Sequence, residues 1–243
     1  MGEVEKMTKQ FEMVMAPIKD KKPETPWMTG TEGSFSAISK VIRESSWYRA
    51  YEGVNTALNG VYWIEIISEQ PNSPLIRNPQ LSGQKKKVKE VKQVVEKDLV
   101  YPLIRGRDVK RWYPSKELGY AILPTNGKGE TLSHTKLKVE YPNSYGYFSN
   151  FFNGLINRGG EPYKSKLKPY REKSFESAER KSPPFYWLFN ASPSMAPYKV
   201  VWKYIAGKIS GKAEFSTVVL EPIDNEYLGL KTPIPMADFI RIG

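Results

Sequence analysis

The chain has 243 residues, 40% of them hydrophobic and 13% aromatic, which is enough to build a core and excludes a disordered polymer. Its net charge is +11, and it contains no cysteine, which excludes disulfides, thiolate metal sites and cysteine nucleophiles together. No stretch approaches the roughly 18 apolar residues of a membrane span, and the charged start Met1–Gln10 has no secretory core, so no membrane partner and a cytoplasmic location are expected.

Residues 1–44 read as an extension or linker with a short helix. Lys19–Pro26 is charged and proline-bearing, and Ala37, Ile38, Val41 and Ile42 fall at helical spacing. Asn59-Gly60 signals a turn, and Val61–Ile67, β-branched and aromatic, predicts a strand. Pro71–Gly83 reads as a loop. Val88, Val91 and Val95 then space as one face of a helix whose other face is lysine. Tyr120–Leu123 predicts a strand ending at Pro124. From Pro142, with Asn143 or Ser144 as cap, Phe148, Phe151, Phe152, Leu155 and Ile156 mark a helix that Gly159-Gly160 stops. Its aromatic stripe is read as core. Tyr198–Ile205 and Phe215–Leu220 predict paired strands joined by the basic, glycine-rich turn Gly207–Lys212. The sum is α+β, with mainly antiparallel short strands and a few packed helices.

The charge is concentrated. Residues 85–111 carry ten Lys/Arg against four acids, and residues 164–181 carry seven against three. Two such runs with interleaved aromatics attract polyanions. The single histidine, His134, lies in the polar stretch Ser133–Lys136 and is read as an ordinary surface residue.

The chain contains no glycine-rich dinucleotide loop and no P-loop. Gly127-Lys128-Gly129 reads as a hairpin turn whose lysine can touch phosphate. Ser182-Pro183-Pro184-Phe185 matches in residue type the motif with which amino-methyltransferases grip a flipped base, the polar side chain accepting from the exocyclic amine and the aromatic stacking on the ring. Its context differs, because polar Glu176–Lys181 precedes it where the motif requires a buried strand. The bland alternative is that the two prolines shape a loop into Phe185-Tyr186-Trp187.

The segment Leu99–Trp112 (LVYPLIRGRDVKRW) resembles a signature of the C-terminal recognition regions of adenine-N6 DNA methyltransferases and type IIG restriction-modification enzymes. Further segments resemble the same regions in the same order: Glu52–Thr56 with Asn59–Trp63, Tyr141-Pro142 with the aromatic helix and Arg158, Pro184–Tyr186, and Ala196–Trp202. The resemblance spans about residues 45–222, and residues 223–243 are read as a truncated C-terminal segment. The upstream methyltransferase domain of that family, with its cofactor loop and Asn-Pro-Pro-Tyr, has no counterpart in this sequence, so a truncated or split protein is expected.

The resemblance implies a DNA target-recognition module. It would have no catalytic residues and no cofactor or metal of its own. Duplex DNA would be its ligand, and a methyltransferase catalytic domain, in cis or trans, would be the partner that uses S-adenosylmethionine. The expected DNA contacts are Arg105, Arg107, Asp108, Lys110, Arg111, Asn55, Thr56, Lys128, Lys199 and Lys203. Arginine can clamp phosphate or grip guanine O6 and N7 with two bonds. Asp108 would hold a neighbouring arginine or accept from a cytosine amine. A structural ion-pair network is the competing reading of that cluster. Lys199 and Lys203 are expected beside Val201 on the open face of their strand, with Val200 and Trp202 inward. Two other functions stay open: a complete small methyltransferase using Ser182–Phe185, and an RNA- or polyanion-binding module.

Overall fold

The computed structural model describes residues 12–17, 23–24, 27–41, 49–70, 73–80, 86–110, 113–203, 217–236 and 240–242. The chain divides into two units, Met1–Arg49 and Ala50–Gly243. In the first, β1 (Val14–Pro17) pairs antiparallel with β2 (Trp27–Gly30), and α1 (Glu32–Val41) follows. The helix matches the apolar spacing. The hairpin falls where the sequence shows little periodicity.

The second unit is α+β. A six-stranded sheet runs in the order β13 (Ile234–Pro235), β7 (Val100–Ile104), β8 (Gly119–Ile122), β4 (Trp63–Ser68), β5 (Leu75–Arg77), β6 (Lys92–Val94). Only the β13–β7 ladder is parallel among the described strands. Every residue of β7 is buried, as its unbroken apolar run requires. A four-stranded sheet runs in the order β10 (Thr217–Leu220), β9 (Lys199–Lys203), β14 (Ile240–Ile242), β3 (Tyr51–Glu52). A small hairpin pairs β11 (Ile223–Asn225) with β12 (Gly229–Lys231). Ile234–Pro235 thus joins the six-stranded sheet and Ile240–Ile242 the four-stranded one.

The helices are α2 (Asn59–Tyr62), α3 (His134–Glu140), α4 (Pro142–Ser149), α5 (Phe152–Ile156), α6 (Tyr163–Lys166), α7 (Pro169–Glu172) and α8 (Phe175–Glu179). The main core joins strand residues such as Ile64, Ile76, Leu103 and Ala121 to helical Phe148, Leu155 and Tyr163. Each leucine, isoleucine or phenylalanine among them contributes about 1.5–3 kcal/mol by leaving water.

Four expectations need correction. The strand expected from Val61 starts at Trp63, because Asn59–Tyr62 is a helical turn that buries Val61 and Tyr62 together, which an alternating strand would not do. Pro71–Gly83 is not all loop, since it contains β5. The lysine-rich segment 86–96 is extended, with β6 in place of a helix. The Asn78 amide bridges Lys89 O and Val91 N, at 2.9 and 2.8 Å, and β6 completes its ladder on β5, so long-range pairing overrides local spacing.

The fourth correction concerns the aromatic helix, which is two helices. Asn150 Nδ2 takes the Gly146 carbonyl at 3.0 Å and the chain bends at Phe151. The stripe is core as expected: Phe148, Phe151, Leu155 and Ile156 are buried. Its start is capped from afar, since the Glu96 carboxylate accepts from the Asn143 and Ser144 amides at 3.0 and 2.9 Å.

Candidate nucleic-acid interface

At the end of β7 the chain enters a single 3-10 turn, Gly106–Asp108. The Asp108 carboxylate accepts from Arg105 N and from Arg105 Nε, both at 2.9 Å. Asp108 is buried, and the Arg105 guanidinium lies 5.8 Å from the Trp63 ring centroid. Asp108 therefore holds its neighbouring arginine, one of the two roles expected for it. Arg105 spends its planar face inside this structure.

Arg107 behaves differently. Its side chain is 72% exposed and only its Nε approaches Asp108, at 3.8 Å. Beyond the turn the loop folds back on itself. Val109 bridges Pro114, Lys110 N donates to Tyr113 O at 3.0 Å, and Ser115 N donates to Asp108 O at 2.7 Å. Val109 is fully buried and anchors the loop in a second core with Ile104, Val201, Val218 and Leu220. The result is a braced base presenting Arg107, Lys110 and Tyr113 to solvent. A cleft of about 310 Å³ opens beside it, with Pro114, Lys116, Tyr120 and Asn225 in its wall. Arg111 and Trp112 lie outside the described residues.

Of the other expected contacts, Thr56, Asn55 and Lys199 are engaged within the fold. Thr56 is buried, its hydroxyl accepting from Leu58 N at 3.2 Å and its carbonyl from Arg158. The Asn55 side chain accepts from Ala57 N at 3.1 Å, and its carbonyl accepts from the Tyr163 hydroxyl. Lys128 is exposed at the tip of a turn closed by Gly129 N to Asn126 O, with Gly129 at φ +79°, as its glycines suggest.

The phase of β9 is the reverse of the one expected. Val201 is fully buried against Val109 and Val218, while Val200 is exposed and Trp202 half-buried. Lys199 shares the parity of Val201 and is drawn inward with it. Its ammonium donates to Ser194 O, Thr232 Oγ1 and Pro233 O, at 2.5, 2.9 and 2.9 Å. Burial pushes its pKa down to about 7. Lys199 is therefore a structural side chain with no face toward a phosphate. The Lys203 side chain and the Gly207–Lys212 turn lie outside the described residues.

Ser182–Phe185 does not present a free aromatic. Phe185 is buried, its ring 5.0 Å from Phe152 and 4.9 Å from Tyr186. A base cannot stack on it without dismantling the core. His134, expected at the surface, is buried at the start of α3, which Ser133 caps. Its Nε2 bonds the Tyr170 hydroxyl at 2.8 Å, and Tyr145, Phe175, Phe185 and Tyr186 surround it.

Arg158 was placed only within a resembling segment, and its role was not legible. It is buried among main-chain carbonyls, donating to Leu155 O, Thr56 O, Phe185 O and Trp187 O at 2.9–3.0 Å. Its guanidinium lies 4.0 Å from the Tyr163 ring centroid. No carboxylate pairs with it among the described residues. It joins residues 56, 155, 185 and 187 into one frame.

No protein-family model matches the chain, and no curated protein matches it. Among the described residues no helix is long and apolar enough to cross a membrane, and no cluster of three or more metal-ligating side chains occurs.

Proposed function

We propose that this chain is the DNA target-recognition part of an adenine-N6 DNA methyltransferase, or of a fused restriction-modification enzyme, acting in the cytoplasm. The observation that carries the reading is the division of labour in the Arg105–Asp108 turn. One arginine is consumed in bracing, and the next is held out on a fixed base. Such a donor can grip guanine O6 and N7 in the major groove, where each base pair presents a distinct pattern. The ordered resemblance across residues 45–222 supplies the rest of the support.

By this reading Arg107 and Lys110 read or clamp DNA, while the lysine-rich segments supply affinity through phosphates. Adenine flipping and methyl transfer from S-adenosylmethionine belong to a catalytic domain in cis or trans. The chain alone binds duplex DNA and transfers no methyl group.

The test is selection of bound duplexes from a random pool by the wild type and by Arg107→Ala. Enrichment of a defined site by the wild type, relaxed at one position in the variant, supports the reading. Failure of the wild type to bind any duplex at low salt overturns it.

A further inference from the structure

The two basic windows are more than 50 residues apart in sequence, yet they meet at one place. Lys86 Nζ donates to Asn157 O at 2.6 Å, and Arg171 donates to Ile156 O at 2.5 Å and to Lys164 O. The acceptors at 156 and 157 are consecutive carbonyls at the end of α5. One cation from each window is thereby fixed beside the other. Lys87 and Lys89 flank the first contact, Lys164 and Lys166 the second, and all four are exposed.

Acids do not cancel this charge. Among the described residues no carboxylate forms an ion pair with Lys86, Lys89, Lys164, Lys166 or Arg171. Glu172 is paired with Lys168 at 3.5 Å, and Glu161 accepts from Ser165 N. Holding like charges together costs free energy, which a polyanion would recover on binding.

Beside the lysines lies a cleft of about 270 Å³, lined by Lys87, Lys89, Ser149, Asn150 and Asn153 among others. Lys89 Nζ bonds Asn150 Oδ1 at 3.3 Å across it. The Asn150 amide donates to Gln93 Oε1 and Gly146 O, and the Ser149 hydroxyl to Tyr145 O, so the ammonium groups of Lys87 and Lys89 are the donors this cleft offers to phosphate oxygens.

We propose that this merged surface, Lys86–Lys89 with Lys164–Arg171, grips the phosphate backbone of duplex DNA at a second place, apart from the Arg107 loop. The proposal rests on the DNA-recognition reading and names where its sequence-independent affinity resides. Duplex is favoured over single strands by the chemistry of the patch. Single-strand surfaces stack bases on exposed aromatics. Here Phe151 is buried and Phe152 is packed against the main core, so although both line the cleft neither ring stands clear for a base to stack on.

The experiment is an anisotropy titration of the full chain with a fluorescein-labelled random duplex across a salt series. The wild type is compared with Lys87→Gln/Lys89→Gln/Lys164→Gln and with a charge-matched control outside both basic windows, Arg49→Gln/Lys136→Gln/Lys138→Gln, all three matched for thermal melting. The patch variant is expected to flatten the log–log salt slope by about two to three, at ~0.9 per lost phosphate contact, with the control unchanged. A slope equal in the two variants overturns the second grip and leaves the recognition reading standing. A larger loss on single-stranded DNA or RNA than on duplex overturns the assignment of the ligand. No wild-type binding to duplex at low salt overturns both readings.

Discussion

One oxygen of the Asp108 carboxylate accepts from both the main-chain N–H and the Nε of Arg105, each at 2.9 Å. Their neighbour Arg107 is left largely in water. The two arginines of one short signature therefore have separable consequences.

Arg105→Ala removes the guanidinium from the buried Asp108 carboxylate, leaving it the main-chain N–H as donor, and is expected to destabilise the fold by about 1–3 kcal/mol in urea denaturation. Arg107→Ala is expected to leave the urea midpoint unchanged while weakening duplex binding. Equal stability losses in the two variants would mean that both arginines are structural.

Arg158→Leu removes the donors for four carbonyls buried in three separate segments. A loss of at least about 3 kcal/mol is expected. Arg158→Lys should recover little of it, since one ammonium cannot span the fork of a guanidinium. Chemical denaturation monitored by tryptophan fluorescence measures both.

His134 has its pKa lowered by burial, with Glu179 opposing the shift. The fold therefore prefers the neutral ring, and the unfolded chain takes up the proton first on acidification. Stability from this group is complete above the ordinary histidine range, about pH 6.5, and is lost as pH falls through the lowered folded value. Tyr170 and Tyr145 face the ring and stay neutral throughout. The melting temperature of the wild type should fall between pH 7 and 5 more steeply than that of His134→Phe. Parallel curves would remove His134 as the cause.

A Cβ on Gly129 would stand 2.4 Å from Ser192 Cα, at a φ of +79°. Gly127, in the same turn, has open space at that position. Gly129→Ala is expected to cost more than about 1 kcal/mol, and Gly127→Ala less than half of that. Differential scanning calorimetry of the two variants tests the contrast.

What was legible in the sequence was local. The stripe Phe148 to Ile156 declares its helical period, and Tyr120–Leu123 declares the strand that the fold realises as β8. The helical spacing of Val88, Val91 and Val95 misleads because the groups that extend this segment, Asn78 and β5, lie elsewhere in the chain. The period of β9 was legible and its phase was not. The three acceptors that make Lys199 tolerable inside come from residues 194, 232 and 233. His134 looked polar from its neighbours in sequence, whereas its neighbours in space are aromatic. In the candidate site, the arginine cluster was visible as a cluster. Which member braces and which is offered depends on a capping bond that composition does not carry.

The four-stranded sheet sets β14, residues 240–242, between β9 and β3, so that Ile242 pairs with Tyr51 on one side and Val201 on the other. Closing this sheet joins residues nearly the whole unit apart, a pairing that local contacts cannot nucleate. The braced loop is rooted through Val109 in the core beneath that sheet. The aim of Arg107 is therefore set in part by strands β9 and β10, so a cavity opened at Val201 or Val218 would loosen the base of the loop without touching the loop itself.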